Sequence, residues 1–278
     1  MSVSALISLA DRAYRSVFRP PASDVEEVLL RDRAPTEPCS ALDPWIGSAG
    51  DFSAPAAARL RQAFHRAQNE PSPLPAWIAA MEGMSGPKYR ALINHLLAMT
   101  IDARYLEIGS WKGSSACAAM AGNAAKITCI DNWSEFGGPR AAFLENVNRC
   151  LTPQIDFALL EQDYRTIDFR DLGPFNLYLF DGPHGEDDHH QAICKACPAL
   201  DDTFTLIIDD WNWKQVRKGT KRALREMRLN VLALIEIRTS SDDTYGNPDG
   251  RADWHNGYFM AVCRKEGSPA SPAPAAPR

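Results

Sequence analysis

Twice in this chain of 278 residues an apolar run ends in acid, first as Phe180-Asp181-Gly182-Pro183-His184 and then as Ile207-Ile208-Asp209-Asp210. If both are strand ends of neighbouring strands, three carboxylates and one imidazole meet at a single rim. Asp181, Asp209 and Asp210 are hard oxygen donors, a set that suits Mg²⁺, with Mn²⁺ or Ca²⁺ as alternatives. An isolated pair of aspartates is more often a cap than a ligand set; a third acid closing the preceding strand tips the reading toward metal. His184 sits three residues after Asp181, and imidazole is suited to moving a proton near neutral pH.

A second chemical unit lies upstream, in Tyr105-Leu106-Glu107-Ile108-Gly109-Ser110-Trp111-Lys112-Gly113. Glu107-x-Gly109-x-x-x-Gly113 opens a helix directly after a strand, so its glycines let backbone approach a ligand closely. The spacing differs from the Gly-x-Gly-x-x-Gly of dinucleotide sites. The acid ahead of the first glycine would repel a pyrophosphate but can accept from an ammonium. Asp131 ends the next strand, where a carboxylate can take both hydroxyls of a ribose. Gln162-Asp163 follows a third strand and offers groups for an adenine amino function. Each acid alone reads as a solvated loop or cap; several in register on one rim do not.

These residues need a scaffold that brings strand ends together. From about residue 86, helix and strand alternate. Strands are expected at Arg104 to Ile108, Lys126 to Ile130, Ile155 to Leu160, Phe175 to Phe180, Thr203 to Ile208, Val231 to Ile237 and Gly257 to Cys263. Helices are expected at Tyr89 to Met99, Ser114 to Met120, Ala141 to Cys150, His189 to Ala199 and Val216 to Met227. Such alternation predicts an α/β fold, a doubly wound and mostly parallel seven-stranded sheet with helices on both faces. Ligands bind beyond the carboxyl ends of its strands, where Gly109, Asp131, Asp163, Asp181 and Asp209 all fall.

Residues 1–85 are rich in Pro and Ala and read as an N-terminal helical extension or lid. A helix is expected from Ala54 to Asn69, and a docking or membrane-surface helix over Leu6, Leu9, Ala10, Ala13, Val17 and Phe18. Residues 86–265 form the main domain, and 266–278 a disordered Pro/Ala tail. A net charge of −5 gives no broad basic footprint, which argues against nucleic acid as the main partner. No apolar run approaches the roughly 20 residues of a membrane span. Seven scattered cysteines suit a reduced, cytoplasmic protein. Cys194-x-x-Cys197 has no second pair and reads as buried or incidental thiols, while His189 and His190 read as capping or surface residues. A polar loop, Arg238 to Asn256, offers a resting place for a substrate, and Trp211, Trp213 and Trp254 an aromatic wall. Self-association as a homo-oligomer is left open by the sequence.

On these motifs, residues 80–265 resemble class I S-adenosylmethionine-dependent methyltransferases, with their Rossmann-like fold. They resemble in particular the metal-dependent sugar O-methyltransferases of the macrocin and mycinamicin group, and more distantly the catechol enzymes. The resemblance implies that Glu107, Gly109 and Gly113 form the cofactor loop at its methionine end, with Ser115 holding the carboxylate and Trp111 flanking it. It implies that Asp131 binds the ribose, that Asn132 and Trp133 border the adenosine, and that Gln162 or Asp163 meets the adenine. Met84 would lie on a loop closing over the cofactor. It further implies that Asp181, Asp209 and Asp210 hold Mg²⁺ or Mn²⁺ and that His184 deprotonates a small-molecule hydroxyl, on a sugar or polyphenol. The competing expectations are a non-methylating metal enzyme, hydroxylase-like or hydrolytic, and a non-catalytic binding module on the same fold.

Overall fold

The computed structural model describes residues 39–246 and 253–268, and seats Val25 and Leu29 against the core. The expected N-terminal docking helix, the tail beyond Ser268 and positions 247–252 of the polar loop lie outside the described residues.

The chain runs through β1 (Trp45–Gly50), α1 (Pro55–Asn69), a one-turn α2 (Ala76–Ala79) and α3 (Pro87–Met99). It continues through β2 (Ala103–Ile108), α4 (Ser114–Met120), β3 (Ala125–Ile130), α5 (Arg140–Cys150) and β4 (Ile155–Leu160). Then come β5 (Phe175–Phe180), α6 (Glu186–Ala196), β6 (Leu200–Ile208), α7 (Lys214–Glu226), β7 (Leu229–Arg238) and β8 (Tyr258–Lys265). Proline opens both α1 and α3, where its missing N–H costs nothing and its fixed φ is already helical. Glu186, Asp187 and Asp188 fill the first turn of α6, the position where the helix dipole favours acids.

One eight-stranded sheet has the order β1-β7-β8-β6-β5-β2-β3-β4. Strands β2 to β6 pair in parallel, whereas β8 is antiparallel to both β6 and β7. The eighth strand, β1, comes from the segment expected to be purely helical. It pairs antiparallel with β7, from Trp45 opposite Arg238 to Gly50 opposite Ala233. A side chain at Gly50 would meet the Leu232 carbonyl at 2.3 Å, so only glycine lets this edge close.

Alternation along the central strands divides the core into two layers. Tyr105, Ile127, Leu177, Leu179 and Ile207 face α1, α3, α4 and α5. Leu106, Ile108, Tyr178, Phe180, Leu206 and Ile208 face α6 and α7. Both faces are covered, which is why these strands read as continuous apolar runs.

Candidate active site

The parallel strands end in register. Ile108 lies opposite both Ile130 and Phe180, Ile130 opposite Leu160, and Phe180 opposite Ile208. The residue after each end therefore stands in a row: Gly109, Asp131, Glu161, Asp181 and Asp209. The ladder continues one bond further for four of them. Gly109 N–H donates to Ile130 O, Asp131 N–H to Leu160 O, Asp181 N–H to Ile108 O and Asp209 N–H to Phe180 O. Strand order reverses between β2 and β5, the crevice where open α/β sheets bind ligands. At that point the chains touch: a side chain at Gly109 would sit 2.0 Å from the Asp181 carbonyl, and Gly109 itself has φ +87°.

A cleft of about 590 Å³ opens over this rim, a size suited to a small molecule or nucleoside cofactor. Met84, Gly109, Trp111, Asp131, Asn132, Trp133, Gln162, Asp163, Asp181, His184, Asp209 and Asp210 all line it. Glu107, Gly113 and Ser115 are not on its wall. Glu107 alternates with Leu106 and Ile108 and so points to the α3/α4 side, where it accepts a 2.6 Å hydrogen bond from the Tyr105 hydroxyl. It is wholly buried, and burial pushes its carboxyl up to about 7. The hydroxyls of Ser110 and Ser115 lie near enough to favour the charged form. Neither is aligned with Oε1, which is buried without a partner, as is Ser110 Oγ.

Asp131 is already at work in the loop it faces. Its Oδ2 accepts from the backbone N–H groups of Ser110 and Trp111, both at 2.8 Å, and its Oδ1 from Trp133 N–H at 2.7 Å. A carboxylate has about four acceptor positions, so one is left for a ligand. Asp163 is likewise engaged, capping the turn at 164–166 through Arg165 N–H and pairing with the Arg165 guanidinium at 3.2 Å. Gln162, exposed beside it, is the more available group for a base edge.

On the other side of the crevice, Asp181, His184 and Asp210 each bring one donor atom to within 4.8 Å of the other two. His184 Nε2 is 3.1 Å from Asp210 Oδ2. Asp210 adopts a left-handed φ of +55°, which turns the pair Asp209-Asp210 away from the strand direction. Asp209 Oδ1 accepts the Asp210 N–H at 2.6 Å and faces Asp181. Burial raises the carboxyls of Asp181 and Asp209 well above the carboxylate range, and repulsion among the three acids adds to it. Asp181 and Asp209, buried this close together, cannot both ionise alone; a bound cation would resolve that conflict. Asp181 and Asp210 thus fit a divalent ion, with a ring nitrogen of His184 beside them and Asp209 packed against Asp181.

Sequence reasoning missed what orients this set. Asn256 Nδ2 donates to Asp210 Oδ1 at 2.7 Å, and its Oδ1 accepts from Asn212 Nδ2 at 2.9 Å and Gly246 N–H at 3.1 Å. Asn212 also bonds Thr239 through both its oxygen and nitrogen. Both asparagines are fully buried, forming a polar knot that ties the loops after β6 and β7 together. The available signal was slight: Asn212 stands between Trp211 and Trp213, and Asn256 two residues after Trp254.

Of the three expected wall tryptophans, only Trp213 reaches the cleft, its ring edge-on to His184 at 5.0 Å. Trp211 is buried on Phe259 and Trp254 on Phe64. Tyr245 and His255, bonded to each other at 3.0 Å, complete that wall. His189 is not a cap or surface residue: it is wholly buried edge-on to Phe180, with neither ring nitrogen bonded. His190 pairs with Glu226. Seven acidic side chains and a single guanidinium, Arg165, are among the residues lining the cleft.

Residues 106–211 match a family model described as a methyltransferase domain. The matched segment starts on β2 just before Glu107 and ends just past Asp210, so it contains both halves of the rim. No match is found among curated proteins. Among solved structures, the chain is similar to TrmN from Thermus thermophilus, at 16% identity over 68% of this chain and 51% of that one, with a TM-score of 0.47. It is also similar to the O-methyltransferase from Bacillus cereus in complex with SAH (14% identity, 74% and 91% covered, TM-score 0.45). A third is the O-methyltransferase TomG from Streptomyces achromogenes, involved in tomaymycin synthesis and solved with SAM (14% identity, 74% and 89% covered, TM-score 0.44). The chain spans about half the length of the first of these. At such values the function rests on the residues, not on the likeness. Among the described residues no helix is long and apolar enough to cross a membrane.

Proposed function

We propose that this chain transfers a methyl group from S-adenosylmethionine to a hydroxyl of a small molecule, assisted by Mg²⁺ or Mn²⁺. The observation that carries the reading is the aligned row of strand ends. It puts Asp131 and the Gly109 loop on one side of the crevice, and Asp181, His184 and Asp210 on the other, within a single acidic cleft. The methyltransferase-domain match over both halves supports it.

In this reading, S-adenosylmethionine supplies an electrophilic methyl on a sulfonium, a cation that the acidic cleft favours. A divalent ion held by Asp181 and Asp210 supplies Lewis-acid polarisation of the acceptor oxygen. Asp131 holds the Ser110–Trp111 backbone in place and keeps one acceptor position for a ribose hydroxyl. Gln162 takes the adenine edge. His184 would take the proton that the acceptor hydroxyl loses on methylation, S-adenosylhomocysteine being the leaving group. Asp210, 3.1 Å away, orients the imidazole. Trp213, Tyr245 and His255 give the acceptor a flat aromatic and hydrogen-bonding wall. A sugar or polyphenol with vicinal oxygens suits such a wall and metal. The acidic cleft is what disfavours nucleic acid as acceptor.

The test is incubation with S-adenosylmethionine and a panel of vicinal-hydroxyl sugars and phenols, with and without EDTA. Formation of S-adenosylhomocysteine that requires metal and acceptor is expected. Metal-dependent hydrolysis by a chain that consumes no S-adenosylmethionine would replace this reading with that of a hydrolytic enzyme.

A further inference from the structure

A second group of metal-ligating side chains lies outside the cleft, on the seam between α6 and α7. His190 and Cys194 stand one turn apart on α6, and Glu226 closes α7 beside them. One donor atom from each is within 4.8 Å of the other two. His190 Nε2 is 2.7 Å from Glu226 Oε2 and 3.6 Å from Cys194 Sγ.

The donor set is an imidazole nitrogen, a thiol sulfur and a carboxylate oxygen. Those are the donors of zinc, whereas Mg²⁺ and Ca²⁺ take oxygen alone. Metal–ligand bonds of about 2.0–2.3 Å in a tetrahedron place donor atoms roughly 3.3–3.6 Å apart. The nitrogen–sulfur distance is already there. The nitrogen–oxygen pair must open by about half an ångström, which the Glu226 side chain can allow, being 60% exposed. Arg222, the neighbouring cation of the seam, is occupied with Asp187 at 2.6 Å and Glu186 at 3.3 Å.

We propose that His190, Cys194 and Glu226 bind a zinc-class divalent ion, with water completing the tetrahedron, and that this ion clamps α6 to α7. The seam matters because α6 begins two residues after His184 and α7 four residues after Asp210. A clamp between these helices fixes the relative position of the two strand ends that carry the acids. Burial and the charge of Glu226 push the Cys194 thiol up to about 11. Metal uptake must release the thiol proton, so binding should strengthen with rising pH.

The test titrates cobalt(II), a coloured substitute for zinc, into the full chain in excess Mg²⁺. A thiolate-to-cobalt charge-transfer band should saturate at one equivalent and be absent in Cys194→Ser. It should need roughly tenfold more metal in His190→Gln and Glu226→Gln. Cys39→Ser, which removes the other half-buried thiol, should keep the band. On the unsubstituted protein, zinc should slow alkylation of Cys194 by roughly tenfold and leave Cys39 unaffected. The proposal is overturned if the wild type gives no band, if Cys194→Ser retains it, or if Cys194 is alkylated equally fast with and without zinc.

Discussion

The imidazole of His184 and the carboxylate of Asp210 meet at 3.1 Å, although one follows β5 and the other follows β6. Parallel pairing with Phe180 opposite Ile208 creates this contact. It leaves His184 two possible jobs, proton acceptor or third metal ligand, since its donor atom also converges with Asp181.

Substitution at His184 separates the two jobs. As a base, His184→Ala should lower kcat by about 10²-fold or more at neutral pH and leave Mg²⁺ affinity within about threefold of wild type. A ligand role would show instead as a loss of metal affinity of about 10–100-fold. Calorimetry with Mg²⁺, beside steady-state kinetics, reads both; the account expects the first pattern.

Asp131 satisfies three backbone N–H groups at once. Asp131→Ala leaves them without their acceptor, each bond to a charged group being worth about 1.5–3 kcal/mol at most. The expected outcome is a loss of about 2–4 kcal/mol in chemical denaturation. S-adenosylmethionine affinity should fall by at least about tenfold because the Gly109–Gly113 loop loses its anchor.

Glu107 gives a pH dependence with a definite sign. Its carboxyl lies at about 7 in the folded chain against 4.5 when unfolded, raised chiefly by burial. A raised value means that the folded state holds the proton more tightly. The resulting stability is full below pH 4.5, falls as pH rises through the interval and is gone above about 7. Its size is on the order of 3 kcal/mol for the ligand-free protein. Glu107→Gln should flatten that slope. S-adenosylmethionine should draw the carboxylate into its charged form, so binding near neutrality should release protons, read as a buffer-dependent calorimetric enthalpy.

Asn256 positions Asp210 through a buried bond. Asn256→Ala should weaken Mg²⁺ binding by about 10–100-fold while leaving S-adenosylmethionine affinity nearly unchanged, because it touches only one half of the rim. Equal loss of both ligands would point instead to general unfolding of the loops.

Much of this site could be read before folding because apolar runs closing on acids mark strand ends whatever the tertiary context. The strands followed directly, as did Gly109, Asp131, Asp181 and Asp209 in the row; its third position is Glu161, because β4 ends at Leu160, and the expected Asp163 lies two residues on, where it caps the turn at 164–166. Strand β1 did not: Trp45–Gly50 has two glycines and no alternation, and its pairing with β7 is a contact across most of the chain. The direction of Glu107 was set by strand alternation, which turns it behind the cleft wall rather than into it. His189 looked like a helix-start residue, yet packing against Phe180 buries it completely. The same limit applied to the tryptophans, since spacing cannot tell Trp213 at the cleft from Trp211 and Trp254 in the core. The Asn212–Asn256 knot joins distant loops and leaves no local pattern.

The most direct test is calorimetric titration of S-adenosylmethionine into the full chain in the presence of Mg²⁺. One site with a dissociation constant on the order of micromolar is expected, weakened at least about tenfold by Asp131→Ala. Absence of binding at about millimolar ligand, in protein that remains folded, would contradict it.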